Sequence, residues 1–231
     1  MKPLFIIPAR GGSKGIPHKN IKELCGKPLI AYPIAQAREL CDDPARIIVS
    51  TDDPQIAEVA RRCGQPVPYM RPDALATDTA GSREVMLHAM DYATANGIDF
   101  DAVVLLQPTS PLRTAAHIAG AMELYRPDID MVVSVCEAAS NPYYTCFETE
   151  GDPDGFLHIS KGDGMYTRRQ DCPKVWEYNG AVYVINPQSL RQMPMGAFRR
   201  RIPFVMSRNE SIDLDTPTDW LIAETIMNNS L

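Results

Sequence analysis

The sequence lacks the patterns of several common protein classes. None of its six cysteines is in a C-x-x-C pair and its four histidines are dispersed, so neither a zinc site nor a disulfide framework is indicated. No apolar run approaches the ~18 residues of a membrane span, and the run before Pro8 is too short for a secretory signal. The net charge of −6 argues against a nucleic acid partner, which would favour a basic face. We therefore expect a cytoplasmic protein with reduced thiols and without a membrane or nucleic acid partner.

Two glycine-rich motifs are also missing, the Walker loop and the G-x-G-x-x-G dinucleotide fingerprint. The first loop, "IPARGGSKGIPHKN", nevertheless places glycines beside the cations Arg10, Lys14 and Lys19. Unhindered backbone N–H groups next to positive side chains favour binding of phosphate oxygens. An ordinary turn between a strand and a helix, with solvated lysines, is the alternative interpretation.

The order of apolar segments predicts an α/β fold in one domain spanning residues 1–231. With 45% hydrophobic and 23% charged residues, the composition is that of a globular protein. Short apolar runs alternate with segments of helical spacing. This alternation predicts three layers, in which helices cover both faces of a mainly parallel sheet. The predicted strands are the runs "LFII", "RIIVS", "DAVVLL", "DMVVSV", "AVYVIN" and "IPFVMS", and the last predicted helix starts behind Pro217.

A segment from about Glu137 to Tyr178 interrupts this alternation. It is rich in glycine, proline, aspartate and aromatic residues, and its runs "TCFETE" and "FLHIS" are typical of hairpin strands. Because the segment has little apolar content with which to fold alone, we interpret it as a lobe inserted into the domain for dimer contact. Its Arg168–Arg169 pair is either a solvated face or a site for an anionic substrate.

Polar loops follow the predicted strands, and ligands of parallel sheets bind beyond the carboxyl ends of strands. The loop "LLQPTSPLRT" offers Gln107, Thr109 and Ser110, neutral groups that suit a sugar or another polyol. A turn whose hydroxyls bond its own backbone is the alternative. In "RPDALATDTAGS", Arg71 and Ser82 are further candidates, although Ser82 could serve only as a helix N-cap.

The stretch "SIDLDTPTDW" contains the best candidate for a metal site. In an extended backbone Asp213 and Asp215 point to one side and Leu214 points the other way, into the core. Two close carboxylates need a cation between them, and Mg²⁺ with substrate phosphates meets that need. Capping of the last helix by Asp215 or Thr216 is the alternative. The run Arg199–Arg201 is assigned to the surface.

In combination these motifs resemble one family along nearly the whole chain. "IPARGGSKGIPHKN", "RIIVSTDD", "RPDALATDTAGS", "LLQPTSPLRT", "RRQ", "YNGAVYVIN" and "SIDLDTPTD" occur in the order seen in the acylneuraminate cytidylyltransferases, also called CMP-sialic acid synthetases. The resemblance implies a fold of the nucleotide-diphospho-sugar transferase type. It also implies transfer of a cytidylyl group from CTP to a nine-carbon 2-keto sugar acid, with release of pyrophosphate, in a homodimer.

The resemblance further implies roles for matching residues. Those implied to bind the nucleotide are Arg10, Gly11, Ser13, Lys14, Asn20, Arg71 and Ser82. Those implied to line the sugar site are Gln107, Thr109, Ser110 and Tyr183, with Arg169 from the lobe of the dimer partner. Asp213 and Asp215 would hold Mg²⁺ and, with Arg10 and Lys14, support catalysis.

Three alternatives stay open at the level of sequence. Some relatives that use sialic acid carry a lysine where "NPYYT" has Tyr144, so N-acetylneuraminate, its deaminated analogue KDN, legionaminate and pseudaminate are all candidate substrates. An enzyme for the eight-carbon acid 3-deoxy-manno-octulosonate is a second interpretation. A catalytically silent nucleotide-binding module is the third.

Overall fold

A computed structural model describes residues 1–13, 15–77 and 81–229. Its centre is a six-stranded sheet with strand order β10-β6-β9-β5-β1-β4. The strands of this sheet are β1 (Pro3–Pro8), β4 (Ile47–Ser50), β5 (Ala102–Leu105), β6 (Met131–Glu137), β9 (Trp176–Ile185) and β10 (Arg201–Val205). The helices are α1 (Ala31–Leu40), α2 (Pro54–Arg62), α3 (Ser82–Ala95), α4 (Ala115–Glu123), α5 (Pro187–Gln192) and α6 (Pro217–Asn229). Two small hairpins pair β2 (Glu23–Leu24) with β3 (Lys27–Pro28) and β7 (Phe147–Glu148) with β8 (His158–Ile159).

The sheet is mainly parallel, which confirms the predicted fold class. β1 pairs in parallel with β4 and β5, and β10 pairs in parallel with β6. Strand β9 lies between β5 and β6 and is antiparallel to both, which the sequence did not predict. The reason is the path of the chain. The segment after β6 brings the chain back to the end of the sheet at which β6 stopped, where Trp176 pairs with Glu137. β9 therefore runs back alongside β6.

Helices cover both faces of the sheet, and each face has its own apolar core. One core packs Ile34 of α1, Ile56 of α2 and Ile118 of α4 against the sheet. The other packs Met86 of α3 and Leu190 of α5 against the opposite face. Because β1, β4, β5 and β6 are buried on both sides, their sequences are continuous apolar runs rather than alternating ones.

Local signals explain where most helices begin and end. Helix α2 begins at Pro54 behind Asp53, whose carboxylate accepts the N–H of Gln55 at 2.7 Å, and Gly64 follows it with φ +83°. Helix α6 begins at Pro217 as predicted. The six-residue helix α5 was not predicted, since it is too short to show helical periodicity.

The segment between β6 and β9 carries the β7–β8 hairpin and several exposed apolar side chains. Phe156 and Leu157 are each 69% exposed and Met165 is 76% exposed. Among the described residues no helix is both long enough and apolar enough to cross a membrane. All six cysteines are free thiols.

Candidate active site

A cleft of about 590 Å³ opens at the carboxyl ends of β1 and β5, where polar loops were expected to meet. It contains most of the predicted site residues. Its walls include Arg10, Ser13, Gly15, Lys19, Asn20, Arg71, Ser82, Gln107, Thr109 and Asp215. The sequence offered four cations for this region. Three of them line this concave surface: Arg10, Lys19 and Arg71. The fourth, Lys14, lies outside the described residues.

The first loop is shaped by close backbone approaches. A Cβ atom at Gly15 would lie 2.1 Å from the carbonyl oxygen of Asp215, so only glycine lets the loop pack against that segment. The N–H of Gly11 donates to Oδ1 of Asp52 at 3.3 Å, and the side-chain amide of buried Asn20 donates to the carbonyl of Arg10 at 2.9 Å. Gly11 and Asn20 thus support the conformation of the loop.

Arg71 is an almost fully buried cation at the wall of the cleft. Its guanidinium lies 3.0 Å from Oδ1 of Asp52, and its Nε has no hydrogen-bond partner among the described residues. Arg10 donates to the carbonyl of Thr77 at 3.2 Å. Both guanidiniums are therefore fixed in place before any ligand binds.

Ser82 is the first residue of α3, and Gly81 occupies the N-cap position. The alternative in which Ser82 serves only as the helix cap is therefore wrong. The Ser82 side chain lines the cleft instead.

Lys19 connects the first loop with the segment before α6. Its Nζ donates to the carbonyl of Leu214 at 2.6 Å and to Oδ1 of Asp215 at 3.1 Å. A small apolar cluster that includes Ile16, Leu214 and Trp220 holds the two segments together. Leu214 is fully buried there, as the sequence predicted.

Thr216, and not Asp215, caps helix α6. The N–H of Asp219 donates to Oγ1 of Thr216 at 3.3 Å, while the Thr216 N–H and hydroxyl both donate to Oδ2 of Asp219 at 2.7 Å. This reciprocal arrangement satisfies the helix start. The carboxylate of Asp215 therefore does not cap the helix, and Asp215 lines the cleft beside Lys19.

Asp213 has a raised pKa. Burial raises its pKa above the ordinary value and the nearby Asp215 adds to that effect, while a hydrogen bond with Thr109 acts in the opposite direction. Its Oδ1 is buried and has no partner among the described residues. A Cβ atom at Gly180 would lie 3.4 to 3.6 Å from Oε1 of Gln107, Oγ of Ser110 and Oδ2 of Asp213. The predicted sugar-site residues Gln107 and Ser110 therefore cluster with Asp213.

A second, smaller chamber of about 170 Å³ shares Ser82 and Gln107 with the cleft as walls. Its other walls are Leu105, Met131, Tyr178, Tyr183, Met195, Gly196 and Arg201. Burial, followed by the charge of Asp213, raises the pKa of Tyr183 to about 12, so its phenol stays protonated. Arg201 is exposed, as expected for the run Arg199–Arg201, and it also lines this chamber at the start of β10.

Arg113, which sequence reasoning did not select, is a buried cation beneath the loop after β5. Its Nε donates to Gln36 at 2.9 Å, and its NH1 donates to the carbonyls of Gln107 at 3.2 Å and Ala181 at 2.5 Å. Burial lowers its pKa to about 9. None of the described carboxylates pairs with it. The sequence offers no signal for this role, because an arginine at the end of a loop is usually solvated.

Three lobe residues do not line the cleft of their own chain: Arg168, Arg169 and Tyr144. Arg169 is exposed and donates to the carbonyl of Ala138 at 3.0 Å, and Arg168 pairs with Asp171 at 2.7 Å. The hydroxyl of Tyr144 donates to the carbonyl of Thr167 at 3.3 Å, within the lobe. A role for Arg169 in the cleft of a partner chain stays a prediction.

Comparisons with known proteins agree with this geometry. The family described as cytidylyltransferase matches residues 4–226. The CMP-N,N'-diacetyllegionaminic acid synthase of Legionella pneumophila is 34% identical over 98% of this chain and 97% of its own. The N-acylneuraminate cytidylyltransferase of Streptococcus agalactiae is 37% identical over 96% of this chain and 52% of its own. The pseudaminic acid cytidylyltransferase of Campylobacter jejuni is 31% identical over 98% of this chain and 96% of its own.

Among solved structures, CMP:2-keto-3-deoxy-manno-octonic acid synthetase complexed with CTP covers all of this chain with a TM-score of 0.69. At 18% identity this likeness shows the fold alone. The family match and the full-length relatives establish more: the chain belongs to the cytidylyltransferase family.

Proposed function

We propose that this protein transfers the cytidylyl group of CTP to the anomeric hydroxyl of a nine-carbon 2-keto sugar acid. The products are the CMP-sugar and pyrophosphate. The observation that carries the proposal is the cleft itself, which Arg10, Lys19 and Arg71 line together with Asp215, next to the half-buried Asp213. The relatives named for legionaminic, acylneuraminic and pseudaminic acids support the class of acceptor.

The chemistry needs alignment and neutralisation of charge more than it needs covalent catalysis. The anomeric hydroxyl loses its proton as its oxygen bonds to the α-phosphorus, and the bond from that phosphorus to the bridging oxygen of pyrophosphate breaks. Negative charge therefore grows on the leaving group. Cations held in place before the reaction stabilise that charge without reorganising, and Arg71 and Lys19 are fixed in this way by Asp52 and Asp215.

The nucleotide and the acceptor are assigned to opposite sides of Gln107. The triphosphate is placed with the first loop, including the predicted ligand Lys14, and with Arg71. The sugar acid is placed near Thr109, Ser110 and Tyr183. The hydroxyl of Ser110 supports this placement. It is buried and has no hydrogen-bond partner among the described residues, and a buried polar atom without a partner is costly unless a ligand satisfies it.

The carboxylates of Asp213 and Asp215 are suitable ligands for a divalent cation such as Mg²⁺. The buried Oδ1 of Asp213 has no partner among the described residues, and repulsion from Asp215 contributes to its raised pKa. The described part of the chain has no group of three or more His, Cys, Asp or Glu residues placed for a metal. Two carboxylates completed by water and phosphate oxygens are a common set of ligands for Mg²⁺. Such an ion would supply positive charge against the triphosphate.

We also propose a homodimer in which the inserted lobe contacts the partner. The lobe exposes Phe156, Leu157 and Met165 close together in sequence, and exposed apolar surface of this kind marks contact sites. Arg169 would then reach the cleft of the partner, since it lies away from its own. The cytoplasm, which keeps thiols reduced, is the proposed location, and six free cysteines accord with it.

The direct test is pyrophosphate release from CTP and Mg²⁺ with a panel of 2-keto sugar acids. The panel contains N-acetylneuraminate, KDN, legionaminate, pseudaminate and 3-deoxy-manno-octulosonate. We expect turnover with at least one nine-carbon acid. Exclusive use of the eight-carbon acid would replace the proposal by the octulosonate reaction, and binding of CTP without turnover of any acid would favour a silent nucleotide-binding module.

A further inference from the structure

We infer that Asn179 is a positioning residue for Asp213, because its side chain joins a bulge of β9 to the turn that precedes Asp213. The inference rests on the proposed function, in which Asp213 takes part, and deepens it. The stretch "YNGAVYVIN" contributed Tyr183 to the predicted site. Asn179 and Gly180 lie in the same stretch, and neither was predicted to have a role in the site.

A bulge interrupts the pairing of β9 with β6. The register shifts around Ser134 of β6, and residues 179–182 of β9 lie opposite this one residue. Such a bulge leaves backbone groups without their usual partners in the sheet. Because buried backbone groups are costly when unpaired, other groups must satisfy those of the bulge.

Two buried side chains satisfy the backbone of the bulge. The hydroxyl oxygen of Ser134 accepts the N–H of Val182 at 2.7 Å. Oδ1 of Asn179 accepts the N–H of Ala181 at 3.1 Å and the hydroxyl of Ser134 at 2.6 Å. Asn179 and Ser134 are both buried, so these hydrogen bonds are shielded from water and hold the bulge in one conformation.

The bulge lies directly against residues of the candidate site. Gly180, within the bulge, has a φ of +74°, which glycine adopts without a steric penalty. The ideal position of a Cβ atom there is 3.4 to 3.6 Å from polar atoms of Gln107, Ser110 and Asp213. The conformation of the bulge therefore limits where the carboxylate of Asp213 can lie relative to the two sugar-site candidates.

The other end of the Asn179 amide holds the turn before Asp213. Nδ2 of Asn179 donates to Oγ of Ser211 at 2.8 Å, and the hydroxyl of Ser211 donates to the carbonyl of Ser207 at 2.6 Å. Ser211 ends the short 3-10 helix Asn209–Ser211, just before Ile212 and Asp213. Asn179 therefore fixes both the backbone that leads to Asp213 and the bulge against which its carboxylate lies.

A fixed Asp213 affects the reaction more than it affects nucleotide binding. Oδ1 of Asp213 is buried and has no hydrogen-bond partner among the described residues, so the surrounding backbone has to hold the carboxylate in place. Charges that are held before the reaction stabilise the transition state without reorganising. Loosening Asp213 should therefore lower kcat and leave the KM for CTP unchanged.

The experiment measures pyrophosphate release in variants that separate these contacts. Asn179→Ala should lower kcat by about tenfold or more, the usual cost of losing a residue that orients a metal ligand. Ser211→Ala, which removes the contact with the turn and leaves the bulge intact, should lower kcat by a smaller factor. Ser207→Ala is the matched control and should keep the wild-type kcat. It removes the hydrogen bond from Ser207 to Glu210 in the same turn and keeps the carbonyl that Ser211 uses.

A double-mutant cycle with Asp213→Asn tests whether the effect passes through Asp213. Asp213→Asn should retain about a hundredth of the activity, which is measurable at high enzyme concentration. If Ser211 acts through Asp213, adding Ser211→Ala to this variant should cause no further loss. A role confined to the stability of the fold would give the same loss in both backgrounds.

The outcomes separate the inference from the function on which it rests. Equal kcat values for Ser211→Ala and Ser207→Ala, or an equal loss from Ser211→Ala in both backgrounds, would overturn the inference and leave the proposed function standing. Thermal melts establish which variants are folded, and Ser211→Ala alone decides the matter if Asn179→Ala does not fold. Absence of turnover with every acid in the wild type would refute the proposed function, and the inference with it.

Discussion

Lys19 and Asp215 are 196 residues apart in sequence, yet the Lys19 Nζ lies 3.1 Å from Oδ1 of Asp215. The lysine side chain is 13% exposed and the aspartate side chain is 74% exposed. The pair joins the first loop, which is the candidate phosphate-binding site, to the segment of Asp213 and Asp215, which is the candidate metal-binding site. The two segments are therefore linked by a direct ion pair.

Replacing Lys19 with Met should lower turnover by about a hundredfold, comparable with the loss of one preorganised electrostatic group. Methionine keeps the unbranched apolar stem of the side chain but leaves the Leu214 carbonyl and Asp215 without the donor. Steady-state pyrophosphate release with CTP varied measures the effect. Lys27→Met is the control, since Lys27 is exposed and does not line the cleft. Lys22 is a poorer control because its ammonium stacks over Trp220 at 4.4 Å. Equal kinetics in Lys19→Met and Lys27→Met would remove Lys19 from the site.

Asp213→Asn should abolish most activity and yet raise Tm at neutral pH. Burial raises the pKa of Asp213, so the folded state holds this proton more tightly than the unfolded state. The stabilisation that comes from this tighter proton binding is complete when the pH is below the ordinary pKa of ~3.9. It is lost as the pH rises through the higher pKa that Asp213 has in the folded state. At neutral pH the charged carboxylate destabilises the fold, and asparagine removes that cost. We expect a loss of turnover of about a hundredfold.

The pH dependence provides the control for Asp213→Asn. The gain in Tm should shrink as the pH is lowered and vanish below the ordinary pKa of aspartate, because the carboxyl is then protonated in both states. Thermal melts of both proteins across this range give the comparison. A variant less stable than the wild type at neutral pH would contradict the assigned burial effect.

Gly15→Ala should destabilise the protein by about 1–3 kcal/mol, the usual cost of overpacking. The added Cβ would meet the backbone oxygen of Asp215 at 2.1 Å, and a backbone atom cannot rotate away as a side chain can. Gly12→Ala is the matched control, since a Cβ there meets nothing within 4 Å. Denaturant unfolding of both variants measures the difference. Equal stabilities would show that the loop and the Asp215 segment are not in contact.

Gln36→Glu should raise Tm at neutral pH, because it gives the buried Arg113 a carboxylate partner. Oε1 of Gln36 already lies 2.9 Å from Nε of Arg113, so the new charge occupies an existing contact. The change also removes the donor to the Arg113 carbonyl, a loss of about 1 kcal/mol, which is smaller than the penalty of several kcal/mol for a buried unpaired ion. Gln36→Leu should lower Tm. Stabilisation by both substitutions would mean that Arg113 does not need a polar partner.

Mixing two inactive variants should restore activity if the lobe acts on the partner. Arg169→Met has an intact cleft and Asp215→Asn has an intact lobe, so the mixed dimer contains one complete site. Random re-association of equal amounts should give about a quarter of the wild-type activity. Light scattering before and after mixing establishes the dimer. Recovery of no activity from mixed dimers would place the function of Arg169 within its own chain or outside catalysis.

Much of the fold follows from local sequence. The apolar runs around Ile6, Val49 and Val104 are long enough for strands and too short for helices, and turn residues such as Gly64 end the helices between them. The polar loops could be assigned to one edge of the sheet because parallel strands have their carboxyl ends on the same side. The orientation of Leu214 followed from the alternation of side chains along an extended chain.

Other features depended on tertiary structure. The reversal of β9, the burial of Arg113 and the position of Arg201 in a chamber arise from segments far apart in sequence, and no local pattern encodes their contacts. Likewise, the sequence could not decide whether Asp215 or Thr216 caps α6. In the folded protein Thr216 and Asp219 satisfy the helix start, while Lys19 lies against Asp215. Spacing determines which side chains can share a face, but burial and the partners brought by the rest of the chain determine the charge, pKa and exposure of each.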